Sequence, residues 1–92
     1  FAMRAGKCIA GDFACERAVK RGGARLVLLD AAASGATQER YFGMCERAGL
    51  PCFTVADLGR AIGKDGRMVA AVTDERFAQM IRDAYASDKN AN

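Results

Sequence analysis

The stretch that most constrains the fold is 11–29, where a glycine-bounded amphipathic segment leads directly into a continuously apolar one. Apolar residues recur at helical spacing in 12–21, which predicts a helix with one buried face. Asp12 is expected to cap this helix and Gly22 to end it. The run Leu26-Val27-Leu28-Leu29 has no polar alternation, as is typical of a central strand covered on both faces. The buried face of the helix is expected to consist of Ala14, Cys15, Ala18 and Val19.

Strand and helix patterns alternate along the whole chain. Strands are predicted at 7–10, 26–29, 52–55 and 67–73, and helices at 12–21, 34–48, 58–62 and from residue 74 onward. Because the second helix joins its two strands at the length of a βαβ unit, those strands are expected to be parallel. The sequence thus predicts one α/β domain over 1–86, a three-layer αβα sandwich with a mixed sheet of about four strands. A polar, frayed tail is expected at 87–92.

Three helix starts are marked by short polar residues. Ser34 is expected to begin the second helix, Asp57 to cap the third and Asp74 to open the last. The apolar stripe of the second helix is predicted to be Tyr41, Met44, Cys45 and Ala48. The stripe of the last helix is predicted to be Phe77, Met80, Ile81 and Ala84.

The charge of the chain is mild but unevenly placed. Lys and Arg number 14 against 11 Asp and Glu, for a net charge of +3. The excess lies in the first 30 residues, where the basic residues are Arg4, Lys7, Arg17, Lys20, Arg21 and Arg25 and the acidic ones are Asp12, Glu16 and Asp30. Two interpretations remain open: an anionic partner, or a solvated helix face.

Catalysis and cofactor binding find little support in the residue types. Histidine, the commonest general base, is absent, and the four cysteines have neither C-x-x-C spacing nor an evident activating partner. The acidic residues mostly precede helices, where capping explains them. The loop after Leu29 lacks both G-x-G-x-x-G and the lysine of a P-loop. We therefore expect no enzyme, no cofactor and no metal, and reduced thiols packed in the core of a cytoplasmic protein without a membrane partner.

The outward face of the first helix combines cationic side chains with one aromatic ring. At about 100° per residue, Phe13 lies between Arg17 and Lys20, opposite the apolar stripe, with Arg21 beside them. An exposed ring could stack on a base while the cations contact phosphates. The alternative is that Phe13, in the first helical turn, packs beneath a neighbouring loop as part of the core.

A second basic segment lies before the last strand. Lys64 and Arg67 flank a turn that contains Gly66. A flexible glycine turn with basic flanks could follow a phosphate backbone, although the same pattern describes an ordinary connecting turn.

Several segments together resemble the kink-turn RNA-binding ribosomal protein superfamily, and within it the bacterial YlxQ-type putative ribosomal proteins. They are Arg4-Ala5-Gly6-Lys7, the Gly11-to-Gly22 helix, Arg25-Leu26-Val27-Leu28-Leu29, Leu58-Gly59-Arg60-Ala61-Ile62-Gly63-Lys64 and Val69-Ala70-Ala71-Val72-Thr73-Asp74. The similarity covers nearly the whole chain. It implies the same αβα sandwich and binding of structured RNA, with ribosomal RNA and ribosomal or translation-associated proteins as expected partners.

The resemblance also implies which residues meet the RNA. Kink-turn binders carry an Asn-Glu pair and a following Lys on this helix, and these positions are Phe13, Ala14 and Arg17 here. Only the basic position is kept, and neither Phe nor Ala can hydrogen-bond to base edges. The loop that covers an extruded nucleotide corresponds to 64–69. Together with the basic face of the helix and the basic turn, these positions give the predicted RNA-binding set: Gly11, Phe13, Ala14, Arg17, Lys20, Arg21, Lys64, Arg67, Met68 and Val69.

The missing Asn-Glu pair leaves a second hypothesis open. The same fold could serve as a protein-interaction scaffold that has lost kink-turn recognition, with an exposed Phe13 as its contact point.

Overall fold

Residues 7–90, which the computed structural model describes with side chains as far as residue 86, form four strands and four helices in alternation. In chain order they are β1 (Cys8–Ala10), α1 (Asp12–Arg21), β2 (Leu26–Asp30), α2 (Gly35–Ala48), β3 (Cys52–Val55), α3 (Leu58–Ile62), β4 (Val69–Val72) and α4 (Glu75–Asn90). Each predicted element is present. The last strand is shorter than predicted and begins at Val69, which leaves Arg67 and Met68 in the preceding loop.

The sheet is mixed and has the strand order β1-β4-β2-β3. β2 and β3 are parallel, as predicted, and β4 is antiparallel to both of its neighbours. Ala10 pairs with Ala70 and Leu29 with Val69, so β1 and β2 end where β4 begins. The N-termini of α1 and α2 and the loop before β4 therefore meet at one edge of the sheet.

Helices cover both faces of the sheet, which confirms the three-layer αβα sandwich. Val27 and Leu29 face the layer of α1 and α2, in a cluster that includes Cys15, Val19 and Tyr41. Leu26 and Leu28 face the layer of α3 and α4, in a cluster that includes Leu58, Phe77 and Ile81. Every residue of β2 is buried, which explains the unbroken apolar run from Leu26 to Leu29.

Of the predicted N-caps, Asp12 is wrong, and Asp57 occupies the cap position of α3 without making a capping hydrogen bond. Gly11 occupies the cap position of α1 with φ 104°, a backbone conformation that favours glycine, and no side chain caps the helix there. The carboxylate of Asp12 instead contacts α2. Asp57 takes a left-handed conformation with φ 53° and makes no capping hydrogen bond.

The side chain of the buried Asp30, and not that of Asp57, accepts a hydrogen bond from a backbone amide at the start of α3. Its carboxylate accepts a hydrogen bond from the Leu58 amide at 2.9 Å, at the start of α3, and another from the Ala32 amide at 2.7 Å. Because β2 and β3 are parallel neighbours, the end of β2 lies beside the start of α3. The carboxylate thereby joins two loops at the same edge of the sheet.

The other helix starts agree with the sequence. Ser34 accepts a hydrogen bond from the Thr37 amide at 3.1 Å, and Asp74 accepts one from the Phe77 amide at 2.8 Å. The predicted face of α4 is partly wrong, because Met80 is 64% exposed. Ala78 packs against the sheet with Phe77 and Ile81, so the buried face is rotated away from Met80.

The predicted polar tail at 87–92 is partly helical in the structure. α4 extends to Asn90, through 87–90 of the segment predicted to be a polar tail. The prediction for 91–92 and the Arg4-Ala5-Gly6 part of the first resemblance segment lie outside the described residues.

Candidate nucleic-acid interface

Backbone hydrogen bonds tie the junction between β4 and the loop before it to the start of α1 and to the end of β2. The Gly11 amide donates to the Val69 carbonyl at 3.1 Å, and the Asp30 amide donates to the Met68 carbonyl at 2.8 Å. A crevice of about 270 Å³ opens between the loop and the N-termini of α1 and α2. Its lining residues are Gly11, Asp12, Thr37, Gly66, Arg67, Met68 and Val69.

The structure thus brings four of the predicted site residues together at this crevice. Arg67 lies over Gly11, since a Cβ on Gly11 would be 3.8 Å from Nη1 of Arg67. Met68 is 39% exposed, whereas the side chain of Val69 is buried in the core. Met68 is therefore the apolar side chain that this loop presents to solvent, and Val69 holds the loop in place.

Tight backbone packing against α3 positions the loop. The Lys64 amide donates to the Gly59 carbonyl at 2.7 Å. A Cβ on Gly59 would lie 2.7 Å from the Lys64 carbonyl oxygen and 3.0 Å from the Gly66 nitrogen. Glycine is thus required here by close approach of two backbones. Lys64 itself is exposed, outside the crevice lining.

The acidic side of α1 is turned toward α2 and neutralised there. Nη2 of Arg40 lies 2.8 and 2.7 Å from the two carboxylate oxygens of Asp12, and Nη1 donates to Glu16 at 2.6 Å. The guanidinium also lies 4.8 Å from the centroid of the Tyr41 ring. The Tyr41 hydroxyl lies 2.6 Å from the Asp12 carboxylate. Hydrogen bonds from Arg40 and Tyr41 hold the pKa of Asp12 below its usual value.

The predicted phosphate contacts on α1 are not equivalent. Lys20 is paired with Glu16, whose carboxylate lies 2.9 Å from its Nζ, so part of its charge is already compensated. Arg17 and Arg21 form no ion pair with any other described side chain. The uncompensated positive charge of α1 is therefore concentrated at these two guanidiniums.

Phe13 is exposed, which decides between the two alternatives left open by its position in the sequence. Its side chain is 76% accessible, and the Arg17 guanidinium carbon lies 5.8 Å from the ring centroid. A groove of about 480 Å³ runs along this side of α1 toward the edge strand β1. It is lined by Ile9, Phe13, Ala14, Arg17, Ala18, Arg21, Gly23 and Thr73.

The residues described by the structure contain no other obvious chemical centre. Within 7–86, the range whose side chains are described, no three His, Cys, Asp or Glu side chains are placed to hold a metal ion. All four cysteines are free thiols, and burial raises the pKa of Cys15 to about 12. Among the helices in this range, none has the length and apolarity needed to cross a bilayer.

Two residues that shape the interface had no signal in the sequence. Arg40 reaches carboxylates that precede it by 24 and 28 residues, and Asp30 reaches an amide 28 residues later. Local patterns detect contacts within a helix turn or a hairpin, so only the packing of α1 against α2 and of β2 against α3 reveals these pairs.

The fold and this surface define an αβα-sandwich protein with a cationic, partly aromatic face along its first helix. No family model matches the chain. The Bacillus subtilis protein named RNA-binding protein YlxQ is 37% identical over 83 residues, covering 87% of this chain and 83% of the relative. The chain belongs to the YlxQ family.

Solved structures share the architecture. A protein of unknown function from Bacillus halodurans superposes with a TM-score of 0.80 at 32% identity, covering 86% of this chain and 83% of the other. The Giardia lamblia 15.5kD RNA binding protein superposes with a TM-score of 0.71 over 92% of this chain and 75% of its own. At 22% identity the second similarity establishes the fold alone.

Proposed function

We propose that this protein binds structured RNA in the cytoplasm without catalysing a reaction. The observation that carries the proposal is the pair of uncompensated guanidiniums, Arg17 and Arg21, beside the 76%-exposed ring of Phe13. Cations that contact phosphates and an aromatic face that contacts a base are what single-stranded segments of folded RNA require. The name of the Bacillus subtilis relative supports the same partner.

The proposed surface has two parts, the outer face of α1 and the crevice at the start of that helix. The face of α1 contributes Phe13, Ala14, Arg17 and Arg21, with Lys20 as a weaker contact because Glu16 shares its charge. The crevice beside it contributes Gly11, Arg67 and Met68. Lys64 extends the positive charge from the same loop. Ribosomal RNA, with ribosomal or translation-associated proteins nearby, is the proposed setting.

Kink-turn recognition is the finer part of the proposal, and we expect it to be weak. The positions that read guanine edges in kink-turn binders are Phe13 and Ala14, which carry no hydrogen-bonding group. A bidentate base contact contributes about 1–3 kcal/mol of discrimination, and this chain lacks the side chains for it at these positions. We therefore expect affinity for kinked or looped RNA with little dependence on sheared G·A pairs.

Gel-shift titration against a kink-turn RNA and a straight duplex of equal length tests this function. Binding should weaken as salt rises, because phosphate contacts release counterions. The double variant Arg17→Ala/Lys20→Ala should bind more weakly and with a shallower salt dependence, while its circular dichroism stays unchanged. Equal affinity for both RNAs would remove kink-turn specificity, and an absence of salt-sensitive binding to either would refute RNA binding.

The exposure of Phe13 also favours a second candidate, a protein-interaction scaffold. The exposed ring of Phe13 and the 39%-exposed side chain of Met68 are both compatible with a protein contact. Pull-downs from lysate with and without nuclease separate the two functions. Partners that survive nuclease would support the scaffold, and partners lost on nuclease treatment would support RNA binding.

A further inference from the structure

The groove between α1 and β1 has the composition of a small ligand site in its own right. Ile9, Ala14 and Ala18 supply apolar lining, Phe13 supplies an open aromatic ring, and Arg17 and Arg21 supply positive charge. We infer that this groove is a subsite for one unpaired nucleotide of the bound RNA. Its base stacks on Phe13 and its phosphate contacts Arg21. The inference rests on the proposed RNA-binding function and specifies the RNA feature that this side of α1 recognises.

The distribution of charge around α1 favours an anionic occupant. Asp12 and Glu16 are not among the residues that line the groove, and their carboxylates are held at 2.6–2.9 Å by Arg40 and Lys20. No carboxylate is among the described residues that line the groove. A phosphate entering it would meet two guanidiniums and no like charge, so the attraction is not reduced by local repulsion.

The size of the groove matches one nucleotide better than a duplex. Its volume of about 480 Å³ falls within the usual range of small-molecule sites. The ring of Phe13 stands at its wall with three quarters of its surface free. A paired base has both faces stacked within its helix and cannot offer one to this ring, whereas an unpaired base can.

The chemistry of the ring predicts the kind of specificity. Stacking on an aromatic face tolerates every base, since each base has a π face, and Phe13 has no group that distinguishes base edges. Recognition at this subsite therefore depends on whether a nucleotide is unpaired and within reach, and only slightly on its identity. This differs from the edge reading that an Asn-Glu pair would perform at the same turn of the helix.

A double-mutant cycle, with one change in the protein and one in the RNA, tests the subsite directly. The probe is a hairpin RNA with a short unpaired bulge, and each bulged base is replaced in turn by an abasic site. Each RNA is titrated with the unsubstituted protein and with Phe13→Leu, which keeps an apolar side chain but removes the ring. Phe42→Leu is the matched control, because Phe42 is also exposed but lies on α2 outside the groove.

If a bulged base stacks on Phe13, removing the base or the ring should weaken binding by about 5- to 100-fold, the range expected for one base–aromatic stack. At that position the two changes together should cost little more than either alone, because they remove the same contact. Phe42→Leu should leave affinity for every RNA unchanged. A fully paired two-strand duplex of the same stem, which has neither bulge nor loop, should bind the unsubstituted and Phe13→Leu proteins equally.

The phosphate contact is tested in the same assay. Arg21→Gln should weaken binding to the bulged hairpin more than Arg76→Gln, which removes the same charge from the exposed face of α4. Salt-sensitive binding that shows no coupling between Phe13 and any bulged base would overturn the subsite and leave RNA binding standing. Failure of the unsubstituted protein to bind either the bulged hairpin or the paired duplex would overturn the proposed function itself.

Discussion

Gly59→Ala is expected to destabilise the domain and displace the loop that carries Arg67 and Met68. The added Cβ would lie 2.7 Å from the Lys64 carbonyl oxygen, 3.0 Å from the Gly66 nitrogen and 3.3 Å from Asp65 Cα. All three are backbone atoms, which cannot rotate away as a side chain would. The turn after α3 must therefore shift to admit one methyl group.

The magnitude follows from two opposing effects. Overpacking in a buried contact costs about 1–3 kcal/mol. Replacing glycine by alanine in a helix returns about 0.5–1 kcal/mol through backbone entropy. The net loss is about 1–2 kcal/mol, which for a domain of this size lowers Tm by roughly 4–16 °C.

Gly35→Ala is the matched control for this substitution. Gly35 is the first residue of α2, and a Cβ there would meet nothing within 4 Å. The free energy of unfolding of the Gly35→Ala variant should be unchanged or slightly raised. Urea denaturation and thermal unfolding by circular dichroism measure both variants. If Gly59→Ala is as stable as Gly35→Ala, the backbones of α3 and of the turn at 64–66 do not pack closely enough to exclude a Cβ at residue 59.

Four further substitutions or treatments probe contacts around the interface. Asp30→Asn should lower the free energy of unfolding by about 1–3 kcal/mol in urea, because one amide oxygen cannot replace both carboxylate acceptors. Tyr41→Phe should lower it by about 1 kcal/mol through loss of the hydroxyl contact with Asp12, with an RNA affinity close to the original. In the folded state the pKa of Asp12 lies below its unfolded value, so its stabilisation is present above about pH 4 and is lost as the pH falls through the folded pKa. Asp12→Asn should therefore flatten the acid side of a plot of urea midpoint against pH. Cys15, whose pKa is raised to about 12, should resist alkylation at pH 8 in the native protein and react once urea unfolds it, as peptide mapping by mass spectrometry would show.

The order and type of the secondary-structure elements could be predicted from the sequence. The unbroken apolar run at Leu26–Leu29 is needed because β2 is covered on both faces, and that requirement is visible in composition alone. Glycines at 22, 49 and 63 end helices in left-handed conformations, which few other residues adopt readily. These features depend on short stretches of chain, so a local pattern records them.

The caps and buried faces were predicted less well, for a common reason. Asp12 and Asp57 are of a residue type that often caps helices. The carboxylate of Asp12 is instead bound by Arg40 and Tyr41. Next to Asp57, the amide of Leu58 donates its hydrogen bond to Asp30. The pattern that placed Met80 in the core could not specify how α4 is rotated on the sheet. In each case a partner distant in sequence competes with the local preference.

By itself, the sequence determined that this chain forms an α/β fold with a mixed β-sheet between helices. It also determined that the first helix carries a basic face with an aromatic residue on it. The Glu16–Lys20 pair is local to that helix, but only the tertiary structure decided that α2 occupies its acidic side chains. Packing of α1 against α2 brings Arg40 onto Asp12 and Glu16, and it leaves Arg17, Arg21 and the ring of Phe13 on the open side. The charge of a side chain is a property of its residue type, whereas its exposure and its ion-pair partner depend on elements folded from distant parts of the chain.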